Sequence, residues 1–354
     1  MPNDLAKQNK KIVGIDLFCG VGGLTHGLKK TGVDIKLGID IDPLCEYPFT
    51  QNNDAKFILK SVEDIKGVEL KPYLDQQETY KLIVGCAPCQ TFSTYNPNAK
   101  EQDDRWWLLS HFSRLIDEVQ PDFISMENVP GLTKHAVFTN FLSNLSVNNY
   151  QYDYKIVNCD EYGIPQMRKR LVLIASKHGS ISILTPNEFG KPRMTVKEAI
   201  GELPKIKAGE SDPQDPLHQS ANLTPVNMKR IHFSNQGGTW RDWPDEYISN
   251  CHKKDTGKTY PSVYGRMSWG EPAPTITTQF YGYGNGRFGH PEQDRALSLR
   301  EGAILQSFPP DYKFFSPGTL PIKKNIGRMI GNAVPVTLGE MIGKSLNRHL
   351  ETLS

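Results

Sequence analysis

The sequence predicts an α/β protein, with an open sheet wound by helices and then a smaller, loop-rich domain. Three observations carry that prediction. Lys11–Leu17 reads as an apolar strand, followed at once by the tight turn Phe18-Cys19-Gly20-Val21-Gly22-Gly23 and a helix over Leu24–Lys30. Short apolar runs at Ile35–Ile39, Leu82–Val84 and Phe123–Met126 then alternate with helical stretches, as strands buried in a parallel sheet do. Near His178 the alternation stops. Ile181–Tyr260 holds 13 Gly plus Pro in 80 residues, with 11 Lys or Arg against 10 Asp or Glu and no long apolar period.

A chain of 354 residues can bury a sizeable core, and its 23% charged and 38% hydrophobic content is ordinary for a globular protein. No apolar run approaches the roughly 20 residues needed to span a bilayer, so no membrane partner is expected. The start, MPNDLAKQNKK, lacks the apolar core of a signal peptide. A cytoplasmic protein is therefore expected, with its six cysteines as reduced thiols. The net charge of +2 identifies no partner and excludes none, nucleic acid included.

The opening strand, turn and helix form the arrangement that lets backbone approach a bound cofactor closely. The glycine order is GxGG rather than GxGxxG, which disfavours NAD; a purely structural glycine turn stays open. Ile35–Ile39 ends in Asp40, and a carboxylate at the tip of a second strand can accept from both hydroxyls of a ribose. That points to an adenosine-containing cofactor. Asp42-Pro43 starts the next helix. Asp64-Ile65 follows the strand-like Phe57–Leu59, in position to touch an adenine edge or to form an exposed turn.

Trp107, Leu108, Phe112, Leu115, Ile116 and Val119 recur at helical spacing as a core-facing stripe, ended by Pro121. Phe123–Met126 delivers Glu127-Asn128-Val129 to the carboxyl edge of the sheet, and a carboxylate there is costly to bury unless it is used or paired. Tyr154–Val157 and Arg170–Ala175 read as closing strands. The alternation Gln166, Arg168, Arg170 puts three polar groups on one strand face, which a solvated edge strand would also show. Arg300–Gln306 reads as helical, and Gly331-Asn332-Ala333-Val334-Pro335 turns into a last helix ending near His349.

The stretch KLIVGCAPCQTFSTY, Lys81–Tyr95, places a thiol at the end of a buried strand. Gly85 ends the strand and Pro88 stiffens the exit before Cys89, with a polar loop running on to Arg105. Alone, this stretch fits a small inert core cysteine, a redox CxxC or half of a zinc site.

Taken together these stretches resemble the S-adenosylmethionine-dependent DNA cytosine carbon-5 methyltransferases of bacterial restriction-modification type. The resemblance covers most of the chain. It runs from Asp16-Leu-Phe-Cys-Gly-Val-Gly-Gly23 through Pro88-Cys89-Gln90, Glu127-Asn128-Val129 and Gln166-Met-Arg-Lys-Arg170 to Arg295-Ala-Leu-Ser-Leu-Arg300-Glu301 and Gly331-Asn-Ala-Val-Pro335. It implies a Rossmann-like methyltransferase fold with a mixed seven-stranded sheet, helices on both faces and a smaller target-recognition domain. The expected divisions are 1–180 catalytic, 181–320 target recognition, and 321–354 a helix returning beside the first strand.

The resemblance also implies roles. Cys89 is the nucleophile that adds to carbon 6 of cytosine, which makes carbon 5 able to take a methyl group. Glu127 holds N3 and the exocyclic amine and protonates N3, a role that calls for a raised carboxyl pKa. Arg170 matches a group near the base O2, and Arg168 orients Glu127 or Cys89. Phe18, Gly20, Gly22 and Gly23 wrap the methionine part of the cofactor, Asp40 holds its ribose and Ile41 packs on its adenine. Asp64 and Ile65 meet the adenine edge, while Asn332 and Val334 close the pocket. The target base must leave the duplex. Gln90, Ser93, Arg105, Gln166 and Arg295 make up the DNA-binding set, with Arg295 also fixing the small domain. The partner is double-stranded DNA, the protein a monomer, and a cognate restriction endonuclease acts independently.

This sequence departs from the family at Gly85-Cys86-Ala-Pro-Cys89, which replaces the more usual glycine and second proline; Cys86 is expected in the core. No thioredoxin-sized unit surrounds the CxxC and no second CxxC exists, which argues against the redox and zinc readings, so no metal is expected. The same fold and thiol could methylate a tRNA cytosine, but the Cys-Phe-Thr of that branch is absent. A silent DNA-binding relative fits poorly, since every catalytic position is filled.

Overall fold

The computed structural model describes residues 11–88, 107–259 and 261–353. Cys89, Gln90, Ser93 and Arg105 lie outside the described residues. The strands are β1 (Lys11–Leu17), β2 (Asp34–Asp40), β3 (Lys56–Leu59), β4 (Thr79–Gly85), β5 (Phe123–Asn128), β6 (Gln151–Asn158), β7 (Gln166–Met167), β8 (Lys169–Ser176) and β9 (Ala273–Pro274). The chain divides into two compact units. The larger comprises Met1–Asn158, Lys169–Lys191 and Val334–Ser354, and the smaller Cys159–Arg168 and Pro192–Ala333.

The larger unit is built on a seven-stranded sheet in the order β3-β2-β1-β4-β5-β8-β6. β1 to β5 pair in parallel, and β8 runs antiparallel to both β5 and β6, so the sheet is mixed. Six of the seven β1 residues and all of β5 are buried. That burial on both faces is why these strands read as unbroken apolar runs rather than as alternations. The strand order reverses between β1 and β4, and ligands bind open α/β sheets at the carboxyl ends beside such a switch point. Those two ends carry the glycine turn and Cys86-Ala87-Pro88. Among the described residues, no helix is long and apolar enough to cross a membrane.

The helix Trp107–Val119 packs into the sheet's core through Leu109, Phe112, Leu115, Ile116 and Val119. The buried stripe therefore runs through Leu109 where the spacing suggested Leu108. The last helix, Val336–Glu351, packs on the helix Gly23–Lys29 that directly follows β1. A Cβ on Gly27 would lie 2.1 Å from the carbonyl oxygen of Val336 and 2.6 Å from the amide nitrogen of Glu340. Both are backbone atoms of a packed helix and cannot step aside. Gly27→Val is expected to cost about 3 kcal/mol of unfolding free energy, the upper part of the overpacking range. A wild-type urea midpoint for that variant would contradict the close approach.

The stretch Gln166–Arg170 is not one strand. β7 stops at Met167 and β8 starts at Lys169. The amide of Arg168 turns back to the carbonyl of Gln166 at 2.9 Å, and its carbonyl accepts from Cys159 N at 2.8 Å. Gln166 and Arg168 thus belong to the smaller unit and Arg170 to the larger. Nor is this a solvated edge, for Gln166 is fully buried and Arg168 4% exposed.

The smaller unit is loop-rich, with short helices such as Pro225–Phe233, Leu299–Leu305 and Lys323–Asn332. Two residues expected at DNA are interior ties here. The Gln166 amide donates to Leu305 O and Gln306 Oε1 and accepts from Ile276 N, so its polar atoms are used inside the unit. Arg295, fully buried, grips both carboxylate oxygens of Glu301 and donates to the carbonyls of Ile206 and Ala296. Its side chain is wholly inside the small unit and presents no exposed surface there.

Candidate active site

Three neighbouring strand ends converge on one carboxylate. Glu127, near the end of β5, is 2% exposed. From β8, Arg170 Nε lies 2.8 Å from Glu127 Oε1. From the exit of β4, the Cys86 thiol donates to Oε2 at 2.7 Å. Pairing with a guanidinium is what makes such burial tolerable. Arg168, expected to orient Glu127 or Cys89, donates through its guanidinium to the carbonyls of Ile276, Gly331 and Ala333. Cys86 is half-buried and faces Glu127, which corrects its assignment to the core.

Asn128 ties the same edge together. Its Nδ2 donates to Ala87 O at 3.1 Å, and its Oδ1 accepts from Val129 N at 2.8 Å. One buried side chain thus fixes the backbone of Ala87, two residues before Cys89, to the end of β5.

At the carboxyl ends of β1 and β2 the glycine turn is held in left-handed backbone, with φ of 58° at Phe18, 51° at Gly20 and 86° at Gly22. A Cβ built on Gly20 meets nothing within 4 Å, so the turn faces open space there. Asp40 Oδ2 accepts from Gly20 N at 2.8 Å and Oδ1 from Asp42 N at 3.0 Å. Each oxygen keeps a further lone pair for another donor. Burial raises the Asp40 pKa, and those backbone bonds hold it back. Next to it Ile41 is 71% exposed, a bare apolar side chain at a strand tip. Ile65 is buried and Asp64 exposed on the turn after β3. Val334 is buried and belongs to the larger unit; Asn332 is exposed and belongs to the smaller.

Asp16, beneath this turn, is 1% exposed and accepts from the Thr25 hydroxyl at 2.6 Å. Burial pushes its carboxyl up to about 7; the Thr25 bond offsets part of this and Asp40 adds to it. The unfolded chain ionises near the ordinary value of 3.8, so between about pH 4 and 7 it holds fewer protons than the folded chain. Rising pH through that window therefore lowers stability, by up to about 1.4 kcal/mol per unit. Asp16→Asn is expected to flatten the slope, read as urea midpoints at pH 5 and 7.5; an unchanged slope would assign it to other groups.

The sequence profile of C-5 cytosine-specific DNA methylases matches residues 12–348. The chain belongs to that family. It is 51% identical over 342 residues to the Type II methylase M.HgiDII of Herpetosiphon aurantiacus, covering 96% of both chains. It is 31% identical to the Type II methyltransferase M1.BsuMI of Bacillus subtilis, covering 92% of this chain and 78% of that one. A crystal structure of a putative DNA modification methyltransferase from an Escherichia coli prophage aligns with a TM-score of 0.72, 24% identity, and 96% and 100% coverage. That last likeness shows the fold. The protein is a DNA cytosine-5 methyltransferase, an enzyme acting on DNA.

Some of the methyltransferase's supporting residues carry no signal in the sequence. On the helix Trp107–Val119, Arg114 Nη2 donates to the carbonyls of Val62, Glu63 and Ile65, at 3.2, 3.2 and 2.8 Å. Its Nη1 pairs with Glu118 Oε1, and Glu118 Oε2 accepts from Gly67 N. The turn bearing Asp64 and Ile65 is thus braced by residues about fifty positions away. Only the i,i+4 spacing of Arg114 and Glu118 is visible in the sequence.

Proposed function

We propose that this methyltransferase modifies carbon 5 of a flipped-out cytosine in a specific duplex sequence, using S-adenosylmethionine and a transient bond between Cys89 and carbon 6. The reading rests chiefly on one observation: a buried glutamate, paired with Arg170, stands at the sheet edge where β4 exits toward Cys89.

The residues present fit the cofactor. Gly20 leaves an open cradle, Asp40 keeps acceptor capacity for ribose hydroxyls, and Ile41 offers an apolar face for adenine. Phe18, Gly22 and Gly23 would line the methionine part, Asp64 and Ile65 the adenine edge, and Asn332 and Val334 the remaining wall. When bound, S-adenosylmethionine supplies an electrophilic methyl group on its sulfonium.

The chain's own residues do the rest. Cys89, as thiolate, adds to carbon 6 and leaves carbon 5 as the nucleophilic end of an enamine. Glu127 holds N3 and the exocyclic amine and protonates N3 as the adduct forms. Arg170 keeps the carboxyl in place and adds positive potential near the base O2. After methylation a water molecule removes the carbon 5 proton, and the Cys89–carbon 6 bond breaks.

We assign target recognition to the smaller unit, and contact with the opened duplex to Gln90, Ser93 and Arg105. A monomer working in the cytoplasm, with an endonuclease of the same specificity acting separately, completes the proposal. The test supplies radiolabelled S-adenosylmethionine with duplex DNA or with total tRNA, and sequences plasmid from an expressing host for 5-methylcytosine. Label in duplex DNA at one recurrent sequence is expected. Label confined to tRNA would overturn the reading.

A further inference from the structure

β4 and β5 pair in parallel with Gly85 opposite Met126, so Cys86, just past the end of β4, comes beside Glu127, which is still within β5. β8 lies on the other side of β5 and contributes Arg170. The two carboxylate oxygens of Glu127 therefore have different neighbours. Arg170 approaches Oε1 through Nε, and Cys86 Sγ approaches Oε2. A single-point ion pair leaves a carboxyl group free to rotate about its own axis. A contact on the second oxygen removes that freedom.

We infer that Cys86 is a positioning residue for methyl transfer: its thiol fixes the second oxygen of Glu127, so that the carboxyl plane is set before a base arrives.

This inference rests on the reading of Glu127 as the proton donor to N3. The Arg170 guanidinium lies against Oε1 as a charge contact without a directed hydrogen bond, and its positive charge disfavours a proton there, leaving Oε2 to carry it. A thiol suits that neighbourhood because it is a weak donor. It orients the oxygen while stabilising the ionised carboxylate less than a hydroxyl would. A residue without a donor gives up the orientation. A hydroxyl keeps the orientation but favours the ionised form more strongly, and so withdraws the proton at lower pH.

The experiment compares wild type with Cys86→Ala and Cys86→Ser, measuring kcat, KM for a duplex substrate, KM for S-adenosylmethionine, and kcat against pH. Cys86→Ala is expected to lose about tenfold or more in kcat, on the scale that misplacing a reacting group produces. Both KM values should stay within about twofold of wild type, which also shows that the variant is folded. Cys86→Ser should recover most of the kcat near pH 6, with the alkaline limb of its profile moved to lower pH. An alanine variant with wild-type kcat and pH profile would overturn the inference. So would a serine variant as slow as alanine at every pH. Glu127→Gln, run alongside, separates this failure from that of the underlying reading. If Glu127→Gln keeps full turnover, the proton-donor role falls. If it is inactive while Cys86→Ala is unimpaired, only the role of Cys86 falls.

Discussion

A duplex carrying 5-fluorocytosine at the target base, incubated with enzyme and S-adenosylmethionine, is expected to yield a protein–DNA adduct that survives denaturing electrophoresis. Once Cys89 has added to carbon 6 and carbon 5 is methylated, release requires loss of the carbon 5 substituent as a cation. A proton can leave that way and fluorine cannot, so the complex is trapped. Without cofactor the thiol addition reverses and no stable adduct should accumulate. Cys89→Ser should abolish the band, because a serine hydroxyl is hardly ionised at neutral pH whereas a thiol with a pKa of about 8.5 can be brought into range. Cys86→Ser should retain it, since the Cys86 thiol is directed at Glu127 and a serine hydroxyl can make the same contact. A stable adduct in the Cys89 variant, or its loss in the Cys86 variant alone, would reassign the nucleophile.

Glu127→Gln should lower turnover by roughly 10²- to 10⁴-fold, the usual contribution of a positioned acid, while DNA affinity changes only a few-fold. The amide keeps the shape of the side chain and can still hydrogen-bond the base, but it has no proton to give. The loss should therefore fall on the chemical step, where N3 becomes basic, and not on binding. Single-turnover rates together with equilibrium DNA titration separate the two. Equal losses in rate and affinity would show a group that only positions the base. The substitution also replaces one partner of a buried ion pair, so thermal unfolding should be recorded on the same preparation.

The strands that position this site were readable because burial on both faces leaves a contiguous apolar signature. β1, β2 and β5 start or end within about two residues of where Ile35–Ile39 and its counterparts suggested. The break at Arg168 was not readable. Alternating Gln166, Arg168 and Arg170 look the same in a straight strand as in two short ones, and the turn-back hydrogen bonds that divide them leave no mark on composition. The burial of Gln166 and Arg295 was hidden for a related reason. Gln166 meets acceptors and a donor more than a hundred residues away, and pattern reasoning gives a polar residue to solvent by default. Cys86 reads as a core residue because a free cysteine at the end of a buried strand is usually a small apolar filler, and nothing local reveals that Glu127 stands beside the exit. Positive φ at Phe18 was equally invisible, since bulky side chains rarely adopt it outside strained or functional turns.

The contact between Gly27 and the last helix has a consequence for how the enzyme comes into being. A ribosome delivers the glycine turn and its helix about three hundred residues before Val336–Glu351, the segment that covers this helix. Until then the backbone around Leu24 and Gly27 lies bare. A nascent chain, or one clipped before Val336, therefore lacks the buttress behind its glycine turn. Methylating capacity in a growing cell then tracks chains that have passed Glu351 rather than chains begun, and the interval before newly made protein can mark DNA includes synthesis of Val336–Glu351.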